Sequence, residues 1–123
     1  MNLILVIDDE KSIRILLKDF LTKIGYRVHV AKNGWEGIRL LNGNNKYDAV
    51  LTDIGMPEIN GNDVAHHIRS SEKSHTPIVA ITGLRNSLLQ SALFDLVIQK
   101  PFNLIMLKSS LESLIQKKYN INF

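Results

Sequence analysis

Five polar residues stand where short apolar runs end. Leu3-Ile4-Leu5-Val6-Ile7 runs into Asp8-Asp9, and Ala49-Val50-Leu51-Thr52 runs into Asp53. Ile78-Val79-Ala80-Ile81 meets Thr82, and Leu96-Val97-Ile98-Gln99 meets Lys100. If these runs are parallel strands of one sheet, their carboxyl ends share the edge at which open α/β sheets bind ligands. Three carboxylates, a hydroxyl and an ammonium would then meet in one shallow pocket. That set suits a divalent cation and a phosphoryl group.

Aspartates held within a few Å repel one another, and without a cation at least one has its pKa pushed up. A hard divalent ion removes the conflict. Donors that are all oxygen favour Mg²⁺ or Mn²⁺ over Zn²⁺. A carboxylate also serves as a nucleophile that forms an aspartyl phosphate. Phosphoryl transfer asks for charge neutralisation and in-line positioning more than for acid–base help. Asp53 is the best nucleophile, because it ends a central strand and opens a loop that leaves its approach clear. Asp8 and Asp9 fit as cation ligands, one direct and one through water. The Gly55 carbonyl would complete the shell, and its missing side chain leaves room above Asp53. Lys100 offers a point charge for a phosphoryl oxygen, and Thr82 one hydroxyl donor.

The elements that must position these residues alternate along the whole chain. Strands are expected at Leu3–Ile7, Arg27–Ala31, 48–52, 77–81 and 95–99. A first helix over about 11–24 carries Ile13, Leu16, Leu17, Phe20, Leu21 and Ile24 at the spacing of one buried stripe, and Gly25 closes it. Asn33 is the expected N-cap of a second helix, with Glu36 as its capping-box partner; Trp35, Ile38 and Leu41 are expected to face inward. A third helix covers about 61–71. The stretch 83–95 has room for a short fourth helix at most. A fifth starts after Pro101 with Leu104, Leu107, Leu111, Leu114 and Ile115 on one stripe. Arg27–Ala31 alternates, as an edge strand with one wet face does. The other four runs read as covered strands. The expected fold is α/β: a flavodoxin-like three-layer sandwich whose five-stranded parallel sheet has the order 2-1-3-4-5, with five helices, the fourth shortened.

The chain has 123 residues, is 45% hydrophobic and 22% charged, and carries a formal net charge of +3. It is read as one domain over 1–123. It contains no cysteine, which excludes disulfides and thiolate metal sites. The first apolar run is too short for a signal peptide or a membrane span, so a cytoplasmic protein is expected. The lysines are scattered and no basic stripe interleaves with aromatics; no direct nucleic-acid binding is expected. His66-His67 are adjacent on a helix and point about 100° apart, so they form no shared metal site.

Together these motifs resemble the receiver domain of two-component response regulators. The resemblance rests on Asp8-Asp9-Glu10, on Asp53-Ile54-Gly55-Met56-Pro57 with Gly61, on Thr82 and on Lys100-Pro101-Phe102, in order along essentially the whole chain. It implies Mg²⁺-dependent transfer of a phosphoryl group from the phosphohistidine of a sensor histidine kinase or phosphotransfer protein. By it, Asp53 is the acceptor, Asp9 a direct and Asp8 an indirect metal partner, Gly55 a carbonyl ligand, and Thr82 and Lys100 the phosphoryl contacts. It also implies a cis Lys100–Pro101 bond. The chain departs from the family in two places. The interval from Thr82 to Lys100 is several residues short, and Val97 stands where receivers usually carry Tyr or Phe. Val97 is too small to repeat the inward swing of that aromatic, so an output route other than the usual one is expected.

The leading expectation is a phosphorylation-controlled switch without an output domain of its own, either a stand-alone relay or a receiver module cut from a larger protein, that promotes its own phosphorylation and dephosphorylation but is not a turnover enzyme. A pseudo-receiver that never uses the aspartate is the alternative. A small aspartate-nucleophile phosphatase fits less well, since Asp8-Asp9-Glu10 lacks the Asp-x-Asp spacing such enzymes use.

Overall fold

The computed structural model describes residues 2–83 and 88–120. Five parallel strands form one sheet in the order β2-β1-β3-β4-β5. They are β1 (Leu3–Ile7), β2 (Arg27–Ala31), β3 (Ala49–Asp53), β4 (Ile78–Thr82) and β5 (Leu96–Gln99). The intervening α-helices are α1 (Lys11–Lys23), α2 (Gly34–Leu41) and α3 (Gly61–Arg69), and α4 (Leu104–Asn120) comes after β5. The expected strand order is observed, with β3, β4 and β5 each starting one residue later than expected.

Alternate residues of the strands feed two cores. Leu5, Ile7, Val50 and Ile78 meet Leu41 of α2 and Val64, Ala65 and Ile68 of α3. Ile4, Val6, Leu51, Val79 and Ile81 meet Leu17 and Leu21 of α1 and Leu107, Leu111 and Ile115 of α4. Fully burying one such side chain stabilises the fold by about 1.5–3 kcal/mol, so the central strands are anchored from both faces. α1 ends as its glycine requires. Gly25 takes φ +105°, its N–H donates to the Thr22 carbonyl at 3.1 Å, and the Tyr26 N–H donates to Leu21 at 3.0 Å. This pairing satisfies two carbonyls that the last turn would leave open.

Four expectations need correction. Trp35 is 59% exposed rather than core. The inward line of α2 is Gly34, Gly37 and Leu41, and Trp35 lies about 100° round the helix from it. Leu16, expected on the buried stripe of α1, is 43% exposed; Leu17 and Leu21 hold that line, and Leu16 falls on its flank. The capping box forms at Asn60 and Asp63, whereas at Asn33 only the bond from the Glu36 N–H to Asn33 Oδ1, 2.8 Å, is seen. Finally, β5 is not covered on both faces. It is an edge strand; Leu96 and Ile98 pack against the α1–α4 core, while Val97 and Gln99 are exposed.

The shortened segment explains that exposure. Among the described residues no α-helix lies between β4 and β5, only a 3₁₀ turn at Ser91–Leu93. The stretch 83–95, where at most a short fourth helix is expected, includes 84–87, which lie outside the described residues. A row of polar side chains along α3 holds the stretch from Leu88 to Asp95. Asn62, buried, donates to the Leu88 carbonyl at 2.6 Å and accepts from the Gln90 N–H at 3.0 Å. His66 Nε2 lies 2.8 Å from Gln90 Oε1. Arg69 donates to the Leu93 carbonyl at 3.1 Å and to Asp95 Oδ2 at 2.9 Å. Among the described residues no helix is long and apolar enough to cross a membrane.

Neighbouring residues of α4 give a direct check on the packing. Leu107 is buried and Met106 is exposed. Leu107→Ala should cost about 2–5 kcal/mol, whereas Met106→Ala should stay within about 0.5 kcal/mol. Urea unfolding of the two variants measures the difference.

Candidate functional site

Strand register brings the five polar residues to one edge. Ile7 pairs with Thr52, Asp53 with Ile81, and Thr82 with Gln99. Asp8 and Lys100 each stand one step beyond a strand. Their backbones stay tied to the sheet: the Asp8 N–H donates to Ala31 at 3.1 Å, and the Lys100 N–H to Thr82 at 2.7 Å. The strand order turns back between β1 and β3, so Asp8, Asp9 and Asp53 flank the crevice that such a reversal opens.

One carboxylate oxygen from each of Asp8, Asp9 and Asp53 lies within 4.8 Å of the other two. Asp8 is 1% and Asp53 7% exposed, and Thr82 is buried, while Asp9 stands at the open rim. The floor is thus dry and one acid faces solvent. Lys100 Nζ lies 3.2 Å from Asp8 Oδ2, 3.6 Å from Asp53 Oδ2 and 3.5 Å from Glu10 Oε1. One ammonium therefore serves several carboxylates. The Lys100–Pro101 bond that precedes the turn into α4 is cis.

Charge crowding shows in the titration of these groups. Burial pushes Asp53 up to about 6, and the Asp8 and Asp9 charges add to it while Lys100 pulls it back. Burial also raises Asp8, against the pull of the Glu10 N–H bond and Lys100. For Lys100, burial acts to lower the pKa, but Asp8 and Asp53 outweigh it and raise the value. Such a cluster fits a hard divalent ion: its donors are all oxygen, they converge, and their charge is under-compensated.

The loop after Asp53 forms the other wall. The Ile54 carbonyl accepts from the Met56 N–H at 3.0 Å and the Gly61 N–H at 3.2 Å. A Cβ on Gly61 would sit 2.4 Å from the Asp53 carbonyl, so only glycine lets α3 start this close to the acid. A Cβ on Gly55 would meet nothing within 4 Å, in keeping with open space above Asp53.

All the residues singled out from sequence thus lie at one edge, with Asp8, Asp9, Asp53 and Lys100 within ion-pairing or ligand-sharing reach. Sequence reasoning missed two supports. Arg14 Nη1 donates to the Asp8 carbonyl at 2.8 Å; its place one helical turn into α1, on the side of the acids, was the available signal. Glu58 accepts from Trp35 Nε1 at 3.1 Å, and nothing in the local sequence marks that pair.

Comparison with known proteins agrees with this geometry. The family described as response regulator receiver domain matches residues 4–112. Response regulator RR06 of Streptococcus pneumoniae is 35% identical over 122 residues, which cover 96% of this chain and 55% of that protein. The transcriptional regulatory protein SrrA of Staphylococcus aureus is 42% identical over 81 residues, 66% of this chain and 32% of SrrA. The chain thus spans roughly a third to a half of the length of these curated relatives. The response regulator TrrA of Thermotoga maritima, solved in complex with Mg²⁺-BeF, superposes with a TM-score of 0.82 at 40% identity and covers 93% of this chain and 99% of that one. A receiver domain protein of Clostridium thermocellum reaches a TM-score of 0.90 at 28% identity, covering 98% and 99%. The expectation that no nucleic acid is contacted finds no support here, since SrrA is a transcriptional regulator.

Raised carboxyl pKa values have a definite stability consequence. A folded-state pKa above the unfolded one stabilises the protein below the unfolded value, and that contribution fades as pH rises through the folded value. For Asp53 the window runs from about 4 to above 6. Metal-free protein should therefore lose stability as pH climbs across that window, and Asp53→Asn should flatten the loss. Urea midpoints with a chelator present, taken from pH 4.5 to 8, read the slope.

Proposed function

Since the chain belongs to the response regulator receiver domain family, we propose that it is a signalling switch that takes a phosphoryl group onto Asp53 with the help of Mg²⁺. The observation that carries this reading is the convergence of Asp8, Asp9 and Asp53 within 4.8 Å beside Lys100. The complex of TrrA with Mg²⁺-BeF supports it by analogy.

Asp9, Asp53 and the Gly55 carbonyl would hold the ion directly, and Asp8 would reach it through water. When bound, Mg²⁺ or Mn²⁺ offsets the carboxylate charge and that of the incoming phosphoryl oxygens. The residues of the chain do the rest. An Asp53 oxygen attacks phosphorus as the bond to the donor imidazole breaks; the electron pair leaves on that nitrogen, which takes up a proton. Lys100 is already within 3.6 Å of Asp53 and would turn from Asp8 towards a phosphoryl oxygen. Thr82, whose Oγ1 donates to the Gly83 carbonyl at 3.2 Å, would exchange that weak bond for the phosphoryl group. The donor class is a sensor histidine kinase or a histidine phosphotransfer protein in the cytoplasm. The protein turns over no external substrate beyond its own phosphorylation and dephosphorylation.

Val97 bears on output. It is 36% exposed on the uncovered face of β5, so no aromatic there packs inward or outward with the state of Thr82. On this reading, output leaves through another surface.

Intact mass after incubation with Mg²⁺ and a small phosphodonor should show one labile phosphoryl adduct, absent in Asp53→Ala. No adduct on the native chain would favour a pseudo-receiver. Asp9→Asn should weaken Mg²⁺ binding roughly tenfold or more and leave the circular dichroism unchanged. Lys100→Ala should spare Mg²⁺ binding and slow adduct formation. Binding of Mg²⁺ should weaken as pH falls below about 6, where Asp53 takes up its proton.

A further inference from the structure

The loop between β3 and α3 carries Gly55 and is tied down residue by residue at its far end. Glu58 has φ +63°, and among the described residues it is the one non-glycine with positive φ. A side chain in that region is disfavoured and persists where surroundings hold it. The indole of Trp35 supplies a hold, donating from Nε1 to Glu58 Oε2 at 3.1 Å. The next residue, Ile59, is backed by Gly34, where a Cβ would lie 2.5 Å from the Ile59 carbonyl. Asn60 then closes the capping box with Asp63, each bond 3.0 Å. At the near end Met56 is buried, and the Ile54 carbonyl takes two backbone bonds. A Cβ on Gly55 would meet nothing within 4 Å.

An exposed tryptophan on the first turn of α2 therefore has a structural partner in the loop that follows Asp53. The pair is 23 residues apart in sequence, and it joins a helix that contributes no acid to the loop just beyond the acceptor.

We infer that Trp35 and Glu58 are a positioning pair: their hydrogen bond holds the left-handed Glu58 and thereby sets the place of the loop whose Gly55 carbonyl binds the cation. This rests on the reading of Gly55 as a metal ligand. Neither side chain touches the ion. The effect is on how much ordering the loop must undergo when the ion binds, because a loop held in its bound form loses less freedom.

Titration calorimetry with Mg²⁺ alone tests it. Trp35→Phe should weaken binding about threefold, the low end of what one net hydrogen bond contributes. It should do the same in a Glu58→Gln background, where the amide oxygen still accepts, and do nothing further in Glu58→Ala, where the bond is already gone. Mg²⁺ should also change the emission of Trp35, the single tryptophan, in the native chain and in Glu58→Gln but not in Glu58→Ala. Metal-free thermal midpoints should fall by no more than a few degrees, because both side chains face solvent. Native-like Mg²⁺ affinity in Trp35→Phe, or an equal loss on adding Trp35→Phe to Glu58→Ala, overturns the pair and leaves the phosphorylation reading intact. A native chain that binds no Mg²⁺ overturns both.

Discussion

Repulsion among Asp8, Asp9 and Asp53 is the constraint around which the rest of the structure is arranged. Carboxylates do not gather in a dry crevice of their own accord; the sheet forces them together. Two of the three sit at the ends of β1 and β3, strands anchored from both faces by apolar cores. The energy of that burial holds the acids where their charges disfavour them. Lys100 relieves part of the conflict by standing between Asp8 and Asp53. The remainder is visible as the raised pKa values of both acids. A site in this condition is ready for a cation, and a protein that binds one gains stability by simple mass action.

Much of this was legible in the sequence because it depends on short-range regularities. Each strand is an apolar run stopped by a polar residue, and parallel strands bring their ends to one edge. The positions of Asp8, Asp53, Thr82 and Lys100 derive from that rule with no knowledge of side-chain contacts. The strand order came from a single further clue, the alternation in Arg27–Ala31 that marks an edge. What escaped depends on where helices lie around their axes and on partners far along the chain. Trp35 looks like core by residue type, yet the tight seating of Gly34 against Ile59 and Gly37 against Ile7 fixes α2 with its glycines inward and its indole outward. Leu16 escaped for the same reason, being adjacent to the buried line without lying on it.

The segment between β4 and β5 shows how a fold adapts when an element is cut short. An amphipathic helix would be held by apolar packing. Here Leu93 and Phe94 of the described stretch pack against the α2–α3 core, and α3 adds directional bonds from Asn62, His66 and Arg69. Those bonds fix the path of the chain without shielding the sheet beyond it. Val97 is exposed on the face of β5 beside which, among the described residues, only the 3₁₀ turn at Ser91–Leu93 is seen.

A sheet open at both borders also offers its unpaired backbone groups to any passing strand. Here β5 runs for only four residues, and β2 sets Arg27 in solvent at its start. Short borders and a charge on the rim are what keep such sheets from adding further strands. The brevity of β5 thus bears on solubility: an edge of four residues leaves too little free ladder to template stacking between molecules.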